Sequence, residues 1–459
     1  MDILALLACL PPAVPATTLR QLRHIVQALL TMTGRVTMTG LARWTDTGGS
    51  YRTIQRFFAT TIPWAAVFWL FFRRHLYAPA EVYLLVGDEV VVTKAGKHTY
   101  GLDRFFAGLF QHVVPGVAFF SLALVSTTTR RAFPLRLEQV VRTAEEKAAS
   151  HAKTAAKHAR PPAAQGQPGR PKGSRNHPKT APLLSPELQR IKTMITAQLQ
   201  LIGADIPLAY LALDGHFGNS PALQMVRDCG LQLISKLRAD AALYFPYDGP
   251  YAGRGPHRKY GAKLQGPAIP DRYLRATRVA AGIETRTYQA QLLHKEFAAP
   301  LNVVILVKTN LLTQAHSQVL LFSSDLALPY EQVIEYYSLR CQIEFTCRDA
   351  KQYWGLEDFM QVTETGGTNA ANLALFMVSL SAVLLADLRQ TDPQCSVLDL
   401  KADYRGYKYV AETIKMLPQK PDADLIVQLV RHVGRLGRYC YKRLSSTRFA
   451  YAQLLLLRL

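Results

Sequence analysis

Acidic residues are scarce in this chain, no apolar run is long enough to cross a bilayer, and the cysteines are few and scattered. Its 459 residues carry 33 Asp and Glu against 54 Lys and Arg, a formal charge of +21. That excess concentrates polyanions near the surface and gives a salt-dependent, sequence-independent term to binding them. Cys9, Cys229, Cys341, Cys347, Cys395 and Cys440 form no CxxC pair and no Cys/His zinc spacing, which excludes those motifs and points to reduced thiols. The longest apolar stretch, Leu373 to Ala386, is about 14 residues against the roughly 20 of a membrane span, and reads as a buried helix. Ile3 to Leu10 lacks the basic residues that precede a secretory core, so the expected location is cytoplasmic, with no membrane partner. Gly96-Lys97-His98-Thr99 lacks the upstream glycine of a phosphate-binding loop, which speaks against an ATP-driven device. What is present, a 49% hydrophobic composition, suffices for real cores, and the length for two to four domains.

The most informative segment runs from Tyr337 to Lys351. Tyr337, Arg340, Glu344, Arg348 and Lys351 recur at spacings of three and four, which places them within an arc of roughly 80° on one helix. One acid ringed by cations suits a carboxylate that holds a metal beside a polyanion, because the cations neutralise the non-bridging phosphate oxygens. An amphipathic helix with i,i+4 pairs on a solvated face has the same spacing. Two aspartates sharpen the reading. Asp88 follows the apolar run Val82–Gly87, and Asp214 follows Leu208–Leu213. Such runs read as buried strands of a parallel sheet, and ligands gather beyond the C-terminal ends of those strands. Either aspartate alone is more often a turn former or helix cap; together with the Glu344 helix the site reading prevails.

The order Asp88, Asp214, Glu344, with Tyr-x2-Arg-x3-Glu-x6-Lys around the last acid, resembles the DDE transposases of bacterial insertion sequences, and within them the group named after insertion sequence four. The similarity runs from about Val82 to Phe359. It departs at Gly87, where relatives often have a second acid, and at the Gly-His-Phe after Asp214. The resemblance implies an α/β fold: an RNase H-like catalytic core interrupted by a mostly β insertion domain and flanked by helical N- and C-terminal regions. It implies that Asp88, Asp214 and Glu344 hold two Mg2+ ions, with Mn2+ able to substitute. Tyr337, Arg340 and Lys351 would grip the phosphate near the cut, and Arg348 would add a contact outside the family pattern. The substrate would be double-stranded DNA, both element ends and target, cut through a hairpin intermediate by a homodimer. A hydrolytic nuclease on the same fold, or a silent DNA-binding descendant, would keep parts of this pattern.

The rest of the chain divides around these motifs. Residues 1–78 read as helical, with Met38–Trp44 and Ser50–Phe58 about a glycine break. That pair suits a helix-turn-helix carrying Arg52 and Arg56 toward DNA, or a plain helical bundle with a wet basic face. The core would occupy 79–146, 187–230 and 313–360. Between Lys147 and Pro186 there are eight cations and no acid, the composition of a flexible basic linker over 147–186. Within it Pro168–Arg175 resembles an AT-hook with Arg170 and Lys172 at its centre, and a solvated linker explains it equally well. Residues 231–312 alternate like strands and would form the insertion. There Arg254, Arg258 and Lys259 interleave with aromatics and suit phosphates and unpaired bases, with Tyr244, Phe245, Tyr247, Tyr251 and Tyr260 as stacking candidates. Residues 361–459 read as helical with a basic end.

Overall fold

The computed structural model describes residues 2–45, 48–108, 110–158, 182–251, 253, 256–265 and 269–438. Helices α1 (Ile3–Leu7), α2 (Ala16–Thr31), α3 (Met38–Trp44), α4 (Tyr51–Ala59) and α5 (Trp64–His75) precede strands β1 (Tyr83–Thr93), β2 (Asp103–Ala107), β3 (His112–Ser126) and β4 (Ala132–Val140). Next come α6 (Ala144–His158), α7 (Pro186–Ile202), β5 (Tyr210–Ala212), α8 (Ser220–Asp228), β6 (Gln232–Leu237), β7 (Leu243–Pro246) and β8 (Tyr260–Lys263). Strands β9 (Leu274–Ala280), β10 (Ile283–His294), β11 (Leu301–Asn310) and β12 (His316–Ser323) lead to α9 (Tyr330–Leu339), α10 (Cys341–Trp354), α11 (Glu364–Arg389), α12 (Val397–Met416) and α13 (Ala423–Arg435).

The fold is mixed α/β around one large sheet. Its order is β2-β3-β1-β5-β6-β12-β11-β10-β7-β8, with β4 on β3 and β9 on β10. Strand β1 pairs antiparallel with β3, while β5 runs parallel to both β1 and β6. Alternation of side chains divides the sheet into two faces. Leu84, Val86, Ala212 and Ile234 pack under α9 and α10, whereas Tyr83, Leu85, Leu211 and Leu233 pack against α7 and α8. The N-terminal helices share a core with α11, α12 and the far end of β1, through Phe57, Trp64, Phe376, Val90 and Val92.

Several local expectations are corrected. Strand β3 opens at His112, after a turn in which Gln111 adopts φ 55. Gly116 does not interrupt β3; a Cβ at that position would lie 2.5 Å from the Val92 carbonyl oxygen, so glycine permits the close strand approach. Asp88 does not close its strand, since β1 continues five residues past it while β5 stops at Ala212. The apolar run at 373–386 is the buried helix expected of it, within the 26-residue α11, whose most apolar window is 78% buried by the protein itself. Helix α6 carries regular structure through His158, into the segment read as linker. The AT-hook-like motif, with Arg170 and Lys172, lies outside the described residues, as do Arg254 and the basic end beyond Arg438.

Candidate active site

Strand register brings the two aspartates together. Val86 pairs with Ala212 across the parallel β1–β5 ladder, and Asp88 and Asp214 each stand two positions further on. They are therefore neighbours just beyond the end of that ladder, near enough for Asp214 to push up the Asp88 carboxyl, on the face that α10 covers. Asp214 caps the turn Gly215–Phe217: its Oδ1 accepts the His216 N–H at 3.1 Å, and its carbonyl accepts the Ser235 hydroxyl at 2.7 Å. Asp88 Oδ1 accepts the Glu89 N–H at 3.0 Å.

The helix expected across 337–351 is two. α9 and α10 meet at Arg340, where i→i+3 bonds tighten the backbone: Arg340 N–H donates to the Tyr337 carbonyl at 3.2 Å and Ile343 N–H to the Arg340 carbonyl at 3.1 Å. Arg340 keeps right-handed dihedrals, so the side chains on either side still face the aspartates. Its guanidinium joins the acids: Nη1 lies 3.2 Å from Asp88 Oδ2 and Nη2 2.8 Å from Glu344 Oε1. The Arg340 side chain is 11% exposed, and its Nε–H is buried without an acceptor. Burial raises the Asp88 carboxyl to about 6; Arg340 pulls it down, and Asp214 and Glu344 push it up. Burial likewise raises the half-buried Tyr337 hydroxyl, with the Arg340 guanidinium 5.9 Å from its ring centre.

Tyr337, Arg340 and Glu344 thus converge with Asp88 and Asp214. Lys351 does not reach them: its ammonium donates to the Val91 carbonyl at 2.8 Å and pairs with Glu357 at 2.9 Å. Arg348 stays exposed, 3.4 Å from Asp349 and over the Phe345 ring. Cys347 packs in the core, its thiol pushed up to about 12 by burial. Sequence reasoning missed Ser235 and Glu187. Glu187, in the first turn of α7, sits 3.6 Å from His216 Nε2; that contact raises the His216 imidazole and lowers the Glu187 carboxyl. Neither residue carries a signal in one dimension, because each meets the site only through folding.

The donor set is three hard carboxylates, the chemistry of a magnesium or manganese site. Among the described residues no three His, Cys, Asp or Glu side chains stand close enough together to hold an ion, and Arg340 lies between Asp88 and Glu344 in this conformation. The residue types fit a divalent cation, and the guanidinium stands as its charge surrogate.

The more distant candidates lie elsewhere. Arg52 and Arg56 are exposed on α4, opposite buried Ile54 and Phe57, and Ser50 caps that helix by accepting the Thr53 N–H at 3.3 Å. Arg258 is exposed over the Tyr247 ring, and Lys259 donates to the Ala298 carbonyl at 3.2 Å. Of the stacking candidates, Phe245 is buried against Tyr273, whereas Tyr251 is 50% exposed and stacks on His257.

A family model described as DDE superfamily endonuclease matches residues 6–300, a span that includes Asp88 and Asp214 and stops before Glu344. No curated protein matches the chain. With well over half its length inside that family model, the chain belongs to the DDE superfamily endonucleases.

Proposed function

We propose that this protein is a transposase of the insertion-sequence-four type, which binds the ends of its element, cleaves them and joins them to target DNA. The observation that carries the reading is the placing of Asp88 on β1 and Asp214 just past the end of the parallel strand β5, with Arg340 linking Glu344 to Asp88. The strand order β4-β3-β1-β5-β6, with β3 antiparallel and β5 and β6 parallel to β1, supports an RNase H-like core. Residues 231–312, which after β6 hold strands β7 to β11 and continue that sheet through β12, would be the insertion domain.

Asp88, Asp214 and Glu344 would hold two Mg2+ ions, which when bound supply an activated attacking oxygen and a stabilised leaving oxygen. The chain's own part is to place the phosphate. Arg340, once released from its carboxylates, offers a planar fork of donors to the non-bridging oxygens, and the Tyr337 hydroxyl lies beside it. Lys351 ties α10 to β1 at Val91, three residues past Asp88, and so holds Glu344 at the height of the aspartates. Excision through a hairpin, action as a homodimer and a cytoplasmic location complete the proposal.

The test compares wild type with Glu344→Gln on labelled DNA carrying the ends that flank the encoding gene, with and without Mg2+. Metal-dependent nicks, hairpins and joined products from wild type alone support the reading. Free ends without joining indicate a hydrolytic nuclease, and binding by both proteins with no cleavage in Mg2+ or Mn2+ refutes an enzymatic role.

A further inference from the structure

A cavity of about 340 Å3 lies where three segments meet: residues 32–36 after α2, the last turn of α10 at Gln352 and Tyr353, and α12 at Lys401 and Arg405. Its cations line the cavity and are each held by a backbone carbonyl. Lys401 Nζ donates to the Tyr353 carbonyl at 3.2 Å and lies 4.9 Å from the Trp354 ring centre, while Arg405 Nε donates to the Thr31 carbonyl at 2.9 Å. Among the described residues neither cation forms an ion pair. The acid on the wall, Asp358, is already engaged by Arg35 Nε at 3.3 Å and the Val36 N–H at 3.0 Å. Two half-buried cations one helical turn apart, without counter-charge, repel each other; burial and Arg405 together lower the Lys401 ammonium to about 8. An anion between them removes that conflict.

We propose that Lys401 and Arg405 form a phosphate-binding site, engaged by the DNA backbone a few nucleotides from the scissile phosphate. The second half of this statement rests on the function proposed above. Gln352 lies eight residues beyond Glu344 on α10, about 12 Å along the axis, and the exposed Arg348 stands between them. At about 3.4 Å per nucleotide, that distance spans three to four nucleotides. A strand leaving the acids along this edge of α10 meets Arg348 and then the cavity. Gly355 closes the helix there at φ 78, and a Cβ on it would meet the Val36 side chain at 2.3 Å, so the wall is built at close contact from both segments.

The experiment measures binding of end DNA in EDTA across a salt series for wild type, Lys401→Met, Lys401→Arg and Arg405→Met, with circular dichroism as the folding control. Loss of one phosphate contact lowers the slope of log K against log salt by about 0.9. Each methionine variant should show that loss and the arginine variant should not. A neutral methylphosphonate three or four nucleotides from the cleavage point should weaken wild type and leave Lys401→Met unaffected. If DNA slopes are unchanged but inorganic phosphate raises the Tm of wild type and not of Lys401→Met, the site takes a free phosphate compound instead. Unchanged slopes together with no phosphate-dependent Tm overturn the site. Because binding is read without metal, a protein that binds with the expected slopes yet never cleaves defeats the proposed function alone, and one that cleaves with unchanged slopes and no phosphate-dependent Tm defeats only the site.

Discussion

Replacing Asp88 by asparagine keeps the shape of the side chain and an acceptor for Arg340 while removing a charge that the fold disfavours. The Asp88 carboxyl rises from 3.8 to about 6, chiefly because its side chain is only 22% exposed. A rise of about two units corresponds to about 3 kcal/mol that the native state loses on ionisation. Below about pH 4 the group is protonated in both folded and unfolded chains, and Asp88 costs nothing. Between pH 4 and pH 6 the unfolded chain ionises first, so the stability conferred by the neutral form drains away, and above pH 7 the loss is complete. Asp88→Asn should therefore melt with wild type near pH 4 and several degrees above it at pH 8. Differential scanning fluorimetry across pH 4–9 reads this directly. Mg2+ should raise the Tm of wild type at pH 8 and leave Asp88→Asn nearly unchanged, since a ligand stabilises only a state that binds it. An asparagine variant that melts below wild type at pH 8, or a gap that does not close toward pH 4, refutes the idea that crowded negative charge is held here for a cation.

Two other substitutions probe different links. Arg340→Ala should weaken hairpin formation on pre-nicked ends more than it weakens end binding in gel-shift assays, and equal losses would refute the phosphate-clamp role proposed for it. It should also lower the Tm at pH 8, since Asp88 and Glu344 lose their shared partner. Asn369→Ala should destabilise the docking of the N-terminal helices by about 3 kcal/mol. The Asn369 amide N–H groups serve the carbonyls of Phe57, Phe58 and Thr60 at 3.3, 3.0 and 2.7 Å, and its Oδ1 accepts the Trp64 indole N–H at 2.8 Å. Urea titration followed by tryptophan fluorescence measures that loss, and a shift under about 1 kcal/mol would mean that water replaces these bonds.

Much of the local structure was legible along the chain. Ser50 before a helix with Ile54 and Phe57 on one side predicts α4 and its wet face of Arg52 and Arg56, because a cap and a 3.6-residue period are local facts. The apolar runs before Asp88 and Asp214 predict buried strands for the same reason. Tertiary structure decided the rest. Whether Asp88 and Asp214 are neighbours depends on the β1–β5 register, which joins residues more than a hundred positions apart. Lys351 shares the helical stripe of Glu344 in sequence, yet the Val91 carbonyl captures it, and Arg340 lies between two acids because the helix tightens at that residue. The cation pair at Lys401 and Arg405 becomes a cavity only when α2, α10 and α12 meet. Periodicity records which side of an element is apolar. The identity of its neighbour is written in long-range contacts that no window of sequence contains.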